Sequence, residues 1–287
     1  MTVSDSVKSL VTELANRGPH RVLRGDLAFA GQPGAVYAPA EGFGLPAIAF
    51  GHGWMANVDN YRSLLEHLAS WGIVVAAPNS ERGPVPSHLG LATDLLTTLD
   101  ICSGVRLGLG QISVNPRRLG LVGHGMGAGA AVIAASQRST IAAVGALFPA
   151  PTAPTAESCA PKITAPGLIL AGTDIRAVDC NAIDLALAWG GTAVLRSIEN
   201  ASGPGLAEGR RLAATLGAGK SEPKTQKATR ALLTGFLLST LTGDNRYASF
   251  AEADAEIPKT HIIDPTYTPE PPKKKSPVGQ ISQLLGR

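Results

Sequence analysis

The chain has 287 residues, of which 44% are hydrophobic and 16% charged, and a net charge of +3. That length suits one large α/β domain or two small ones, and so small a charge leaves no footprint for nucleic acid. Three cysteines make no disulfide framework, and no apolar run reaches the roughly 18 residues that a membrane span needs.

Residues 4–17 read as a short helix with Val7, Leu10, Val11 and Leu14 on one face. Residues 20–38 suggest two antiparallel strands around Gly31-Gln32-Pro33-Gly34. Ala47-Ile48-Ala49-Phe50 is a buried strand, residues 58–71 an amphipathic helix ended by Gly72, and Ile73-Val74-Val75-Ala76-Ala77 the next strand. A helix over residues 89–106 precedes the strand Arg118-Leu119-Gly120-Leu121-Val122 and a helix over residues 128–135. Further strands are expected at residues 141–148, 167–171 and 193–198, and further helices at 181–190 and 224–241. Strands alternating with helices predict an α/β fold with a mostly parallel sheet, covered on both faces.

Three segments are expected: an N-terminal helix in residues 1–19, the α/β domain in 20–260, and a tail in 261–287. The tail holds the run Lys273-Lys274-Lys275 among prolines, a composition that builds no core. Beyond it Val278, Ile281, Leu284 and Leu285 fall on one side of a helical turn. Such a motif could dock into a protein partner through residues 265–287, and the lysines could add weak attraction to an acidic membrane surface. The polar opening Met1-Thr2-Val3-Ser4-Asp5-Ser6 is not that of a signal peptide. Cys159 and Cys180 could pair, but a reduced, cytoplasmic protein is the simpler reading.

Gly123-His124-Gly125-Met126-Gly127 carries the most information. It sits between a short buried strand and a helix that opens with small residues. That is the setting of the G-x-S-x-G nucleophile elbow, a tight turn that raises a serine hydroxyl above the sheet. Here glycine stands where the serine would be. A dinucleotide-binding loop fits poorly, because the spacing is not G-x-G-x-x-G.

Other segments agree. His67-Leu68-Ala69-Ser70-Trp71-Gly72-Ile73-Val74-Val75, the loop Gly51-His52-Gly53-Trp54, the stretch Pro166–Asp174 and the ending Gly243-Asp244-Asn245-Arg246-Tyr247 with Phe250 follow in a specific order. Over residues 20–250 the chain resembles the dienelactone hydrolase, chlorophyllase and polyester-hydrolase (cutinase-like) group of α/β-hydrolases. The resemblance implies an α/β-hydrolase fold without a large lid. It puts the nucleophile position at Gly125 and the acid at Asp174. The loop Glu199-Asn200-Ala201-Ser202-Gly203-Pro204 resembles the group's histidine loop, with Gly203 in the place of histidine. Two of three triad positions would then lack their reagent, so neither an acyl-enzyme nor imidazole proton transfer is available there. The resemblance also assigns oxyanion-type N–H donors to Trp54 and Met126.

Two readings follow. One is a pseudoenzyme, retained as a binding, scaffolding or regulatory protein, whose cleft holds a hydrophobic or acyl ligand. His52, His124, Phe148 and Pro149 are expected to line that cleft. The other is an ester hydrolase with a non-serine, water-mediated mechanism that uses His124 or His52. Ser202 has no base assigned by sequence, and Asp179 is a second candidate for the acid. No metal-ligand spacing and no phosphate loop is present, so no metal and no cofactor is expected.

Overall fold

The computed structural model describes residues 6–209 and 220–266. The chain builds a nine-stranded mixed sheet. Its strands are β1 (Val22–Asp26), β2 (Gly34–Pro39), β3 (Gly42–Gly51), β4 (Val74–Pro78), β5 (Ile112–His124), β6 (Ala143–Leu147), β7 (Gly167–Ala171), β8 (Ala193–Ile198) and β9 (Thr260–Ile262). Their spatial order is β1-β2-β4-β3-β5-β6-β7-β8-β9. β3 through β8 run parallel, while β1, β2 and β9 are antiparallel to their neighbours at the two edges.

Burial on both sheet faces explains the unbroken apolar strands in the sequence. Along β3 and β4, Ile48, Phe50, Val75 and Ala77 enter one core, and Ala47, Ala49, Val74 and Ala76 enter the other. The first core is closed by α1 (Val7–Leu14), α2 (Arg62–Ser70) and α7 (Pro223–Leu237). The second is closed by α3 (His88–Gly104), α4 (Met126–Ser136), α5 (Ala156–Cys159) and α6 (Ala182–Ala188). α1 is therefore part of the domain, with Leu10 and Leu14 in its core. The ending motif holds it there: Arg246 pairs with Glu13 at 2.7 Å, and Tyr247 and Phe250 are buried beside α7.

Several elements extend or add to the expected pattern. β3 and β5 start well before their apolar runs and pair there through Gly42↔Ile112 and Leu45↔Val114, with shifts of register before Ala47. Residues 58–61 form a separate 3₁₀ turn ahead of α2. β9 crosses the boundary expected at residue 260, because Thr260 to Ile262 pair with Ile198 to Arg196 on the exposed edge of β8. Val278, Ile281, Leu284 and Leu285 lie outside the described residues. Among the described residues, no helix is long and apolar enough to cross a membrane.

The crossing of α4 over β3 and β5 leaves no room for side chains. A Cβ at Gly123 would lie 2.0 Å from the Gly127 carbonyl oxygen, and one at Gly127 would lie 2.3 Å from that of Gly51. Small residues at the start of α4 are thus required by backbone contact. Gly127→Ala should lower stability by about 1–3 kcal/mol or more, the range for overpacking, with the loss read from urea unfolding.

His67 on α2 is 6% exposed. Burial first, and the Arg230 guanidinium second, push its pKa down to about 4, against a bond with the Leu14 main chain. The unfolded chain takes up a proton near pH 6.5, whereas the folded chain refuses it until about pH 4. Unfolding free energy should therefore fall as pH drops through that window, by roughly 3 kcal/mol in all. His67→Met should flatten this dependence, which urea titrations at pH 7 and pH 4.5 would reveal.

Candidate functional site

Loops that follow β3, β5, β6, β7 and β8 meet at the carboxyl ends of the parallel strands, where α/β sheets place their ligands. They enclose a cleft of about 580 Å³. Trp54, His124, Gly125, Met126, Phe148, Pro149, Asp174 and Gly203 all line it. Residues far apart in sequence are thus gathered at one site by the strand order.

Gly125 joins β5 to α4 with φ +57° and ψ −120°. Glycine adopts this region at little cost, whereas other residues are strained there. The turn is held by the Gly125 N–H on the Leu147 carbonyl at 3.0 Å and by the Ala128 N–H on the Gly125 carbonyl at 3.1 Å. A Cβ at Gly125 would meet nothing closer than the Gly53 Cα at 3.8 Å. The elbow therefore has room for a side chain that the sequence does not supply.

Gly203 is different. Its φ of −54° and ψ of −53° are ordinary helical values, and a Cβ there would lie 3.3 Å from the Phe148 Cβ. Nothing in the backbone demands glycine at this position. Asp174 follows β7 in an exposed turn at the cleft, and Asp179 lines the same cavity.

His124 is 6% exposed and bonded through both ring nitrogens. Its Nε2 lies 2.9 Å from the Gly203 carbonyl oxygen and its Nδ1 lies 2.7 Å from the Tyr61 hydroxyl. A carbonyl only accepts, so Nε2 carries the proton and Nδ1 accepts from Tyr61. The Tyr61 oxygen in turn accepts the Gly53 N–H at 2.9 Å. One chain of bonds thus ties the loop after β3, α2's approach, the elbow and the loop after β8.

His52 does not line the cleft, contrary to expectation. It is fully buried, with Nδ1 2.9 Å from the Gly53 carbonyl oxygen and Nε2 2.6 Å from that of Ser80. The Ser80 carbonyl beyond β4 draws the ring beneath the loop and away from the cavity.

Trp54 is 54% exposed, with its indole N–H donating to the Pro84 carbonyl at 3.0 Å. Met126 is the first residue of α4. Among the described residues, no hydrogen bond engages the main-chain N–H of either. Two such donors at a cleft suit a carbonyl or oxyanion oxygen.

Lining residues that the sequence does not assign to the cleft include His88, Cys180 and, as a bonded group, Ser202. Ser202 donates its hydroxyl to Glu222 at 2.8 Å and its N–H to the same carboxylate at 3.1 Å. Burial alone would raise the Glu222 pKa, but bonds from Thr225 and Ser202 outweigh it and hold the carboxyl below its ordinary value. So stabilised a carboxylate is a weak base, and the pair pins the loop to the start of α7. Burial pushes the Cys180 thiol up, with Asp179 and Asp174 adding to the effect, so it stays a neutral thiol. Among the described residues, no group of three His, Cys, Asp or Glu could hold a metal ion.

Tyr61→Phe removes the hydroxyl that bonds both the Gly53 N–H and the His124 ring. It should cost about 1–3 kcal/mol in urea unfolding, and the His124 ring signals should shift in NMR spectra.

None of the curated proteins compared with this chain matches it. A family model described as PET hydrolase-like matches residues 5–184, a span that includes the elbow and Asp174 and stops before the loop of Gly203. With that match over more than half its length, and the mostly parallel sheet and elbow turn described above, the chain belongs to the PET hydrolase-like family of α/β-hydrolases.

Proposed function

We propose that this chain is a catalytically inactive member of its family, a pseudoenzyme that uses the vacated cleft for binding in a scaffolding or regulatory role. One observation carries the reading. The elbow turn at Gly125 has the backbone of a nucleophile position and space for a side chain, yet no hydroxyl stands there. Without it no acyl-enzyme forms. Gly203 leaves the cleft without an imidazole at the third triad position, so Asp174 has no histidine to orient.

The cleft retains what binding needs. Trp54, Met126, Phe148 and Pro149 supply apolar wall, and two main-chain N–H groups are open to a carbonyl oxygen. A hydrophobic or acyl ligand fits these features. The tail over residues 265–287 would recruit a partner protein through Val278, Ile281, Leu284 and Leu285. Free Cys102, Cys159 and Cys180 suit a reducing, cytoplasmic setting.

The alternative, water-mediated ester hydrolysis by His124 or His52, needs a ring nitrogen that can take a proton from water. Both nitrogens of His124 face protein partners, and His52 is closed off from the cavity. Retained oxyanion donors would support only a trace of turnover.

Purified natural protein should hydrolyse p-nitrophenyl acetate at the background rate. The double substitution Gly125→Ser, Gly203→His should raise that rate by about 10²-fold or more. Clear turnover by the natural protein, lost in His124→Ala or His52→Ala, would overturn the pseudoenzyme reading.

A further inference from the structure

His88 forms part of the cleft wall. It stands at the start of α3, where the Ser87 hydroxyl caps the Gly90 N–H at 2.9 Å and the Ser87 N–H donates to Glu81 at 2.6 Å. The ring is therefore carried on a fixed helix start. The Ala153 N–H donates to His88 Nδ1 at 3.0 Å. A main-chain N–H can only donate, so Nδ1 is the acceptor and Nε2 carries the ring proton. Nε2 takes no partner among the described residues. His124 contrasts with it, both of its nitrogens being bonded to protein.

The charge of the cleft narrows what can enter. Asp174 and Asp179 line it, and no lysine or arginine does among the described residues. A carboxylate ligand would meet two like charges without a counter-cation, a repulsion that selects against acids. Trp54, Phe148, Pro149 and Pro151 offer flat apolar wall to the body of a ligand.

Building on the binding reading of the cleft, we propose that His88 Nε2–H is a recognition donor. The ligand is an uncharged carbonyl compound that carries a second acceptor oxygen. Its carbonyl oxygen meets the Trp54 and Met126 N–H groups, and its second oxygen meets His88. The cleft then favours the neutral compound over the corresponding acid.

The test uses the full chain, labelled with ¹⁵N in histidine. It is titrated with methyl 4-methoxybenzoate, with methyl 4-methylbenzoate, which lacks the ether oxygen, and with the 4-methoxybenzoate anion. The methoxy ester should bind about fivefold tighter than the methyl analogue, the worth of one neutral hydrogen bond, and should shift the His88 Nε2–H signal. The anion should bind at least about tenfold more weakly than its ester. His88→Phe should abolish the preference for the methoxy ester over the methyl analogue. His88→Gln, which offers both an acceptor and a donor, should retain the preference.

Equal affinity for the two esters, or a preference that survives in His88→Phe, would overturn the proposal while leaving the binding reading intact. So would a loss in His88→Phe that affects both esters alike, which would mean that the ring only holds Ala153. Anion binding as tight as that of the ester would overturn the neutral-ligand assignment. Binding of neither ester would remove the binding reading, and the proposal with it.

Discussion

The close backbone crossing of α4 over β3 and β5 is the constraint on which the site depends. Gly51, Gly123 and Gly127 let main chain meet main chain where any Cβ would intrude. That contact sets the depth at which α4 begins, and so the position of the Met126 N–H and of the turn at Gly125. A buried parallel sheet leaves little freedom to adjust, since its interior is close-packed on both faces. The elbow is thus a product of packing, and it persists without the serine that such a turn presents.

The bonds from Gly53 through Tyr61 and His124 to Gly203 do for the loops what the crossing does for the helix. Each member is buried or nearly so, and each donor finds an acceptor. Buried polar groups in such a chain are stabilising only while all partners remain. His124 is therefore tied to structure. It joins the loop after β8 to the elbow, which keeps Gly203 at the cleft although residue 203 carries no side chain. Ser202 and Glu222 anchor the same loop from behind.

The cleft that results has donors without acceptors at its main chain, carboxylates at its rim and apolar wall between them. In a serine hydrolase, main-chain donors at such a cleft stabilise charge that develops during reaction. On the proposed reading, with neither hydroxyl nor imidazole at residues 125 and 203 to generate that charge, the cleft serves recognition instead.

Much of this was legible in the chain itself. Unbroken apolar strands, periodic helices and the glycine cluster at the elbow marked the parallel sheet and the turn, because burial on both faces and close backbone approach constrain residue type locally. That residues 125 and 203 are both glycine is likewise a property of the sequence. What lay beyond it depended on partners distant along the chain. β9 is only three residues long, and its place is set by the open edge of β8 rather than by its own pattern. His52 sits one residue from the cleft-lining Gly53 but is claimed by the carbonyl of Ser80. His88, with no motif around it, reaches the cleft because the loop carrying Ala153 folds against α3. A histidine's role follows from which of its two nitrogens a neighbour has already taken, and only the tertiary structure decides who that neighbour is.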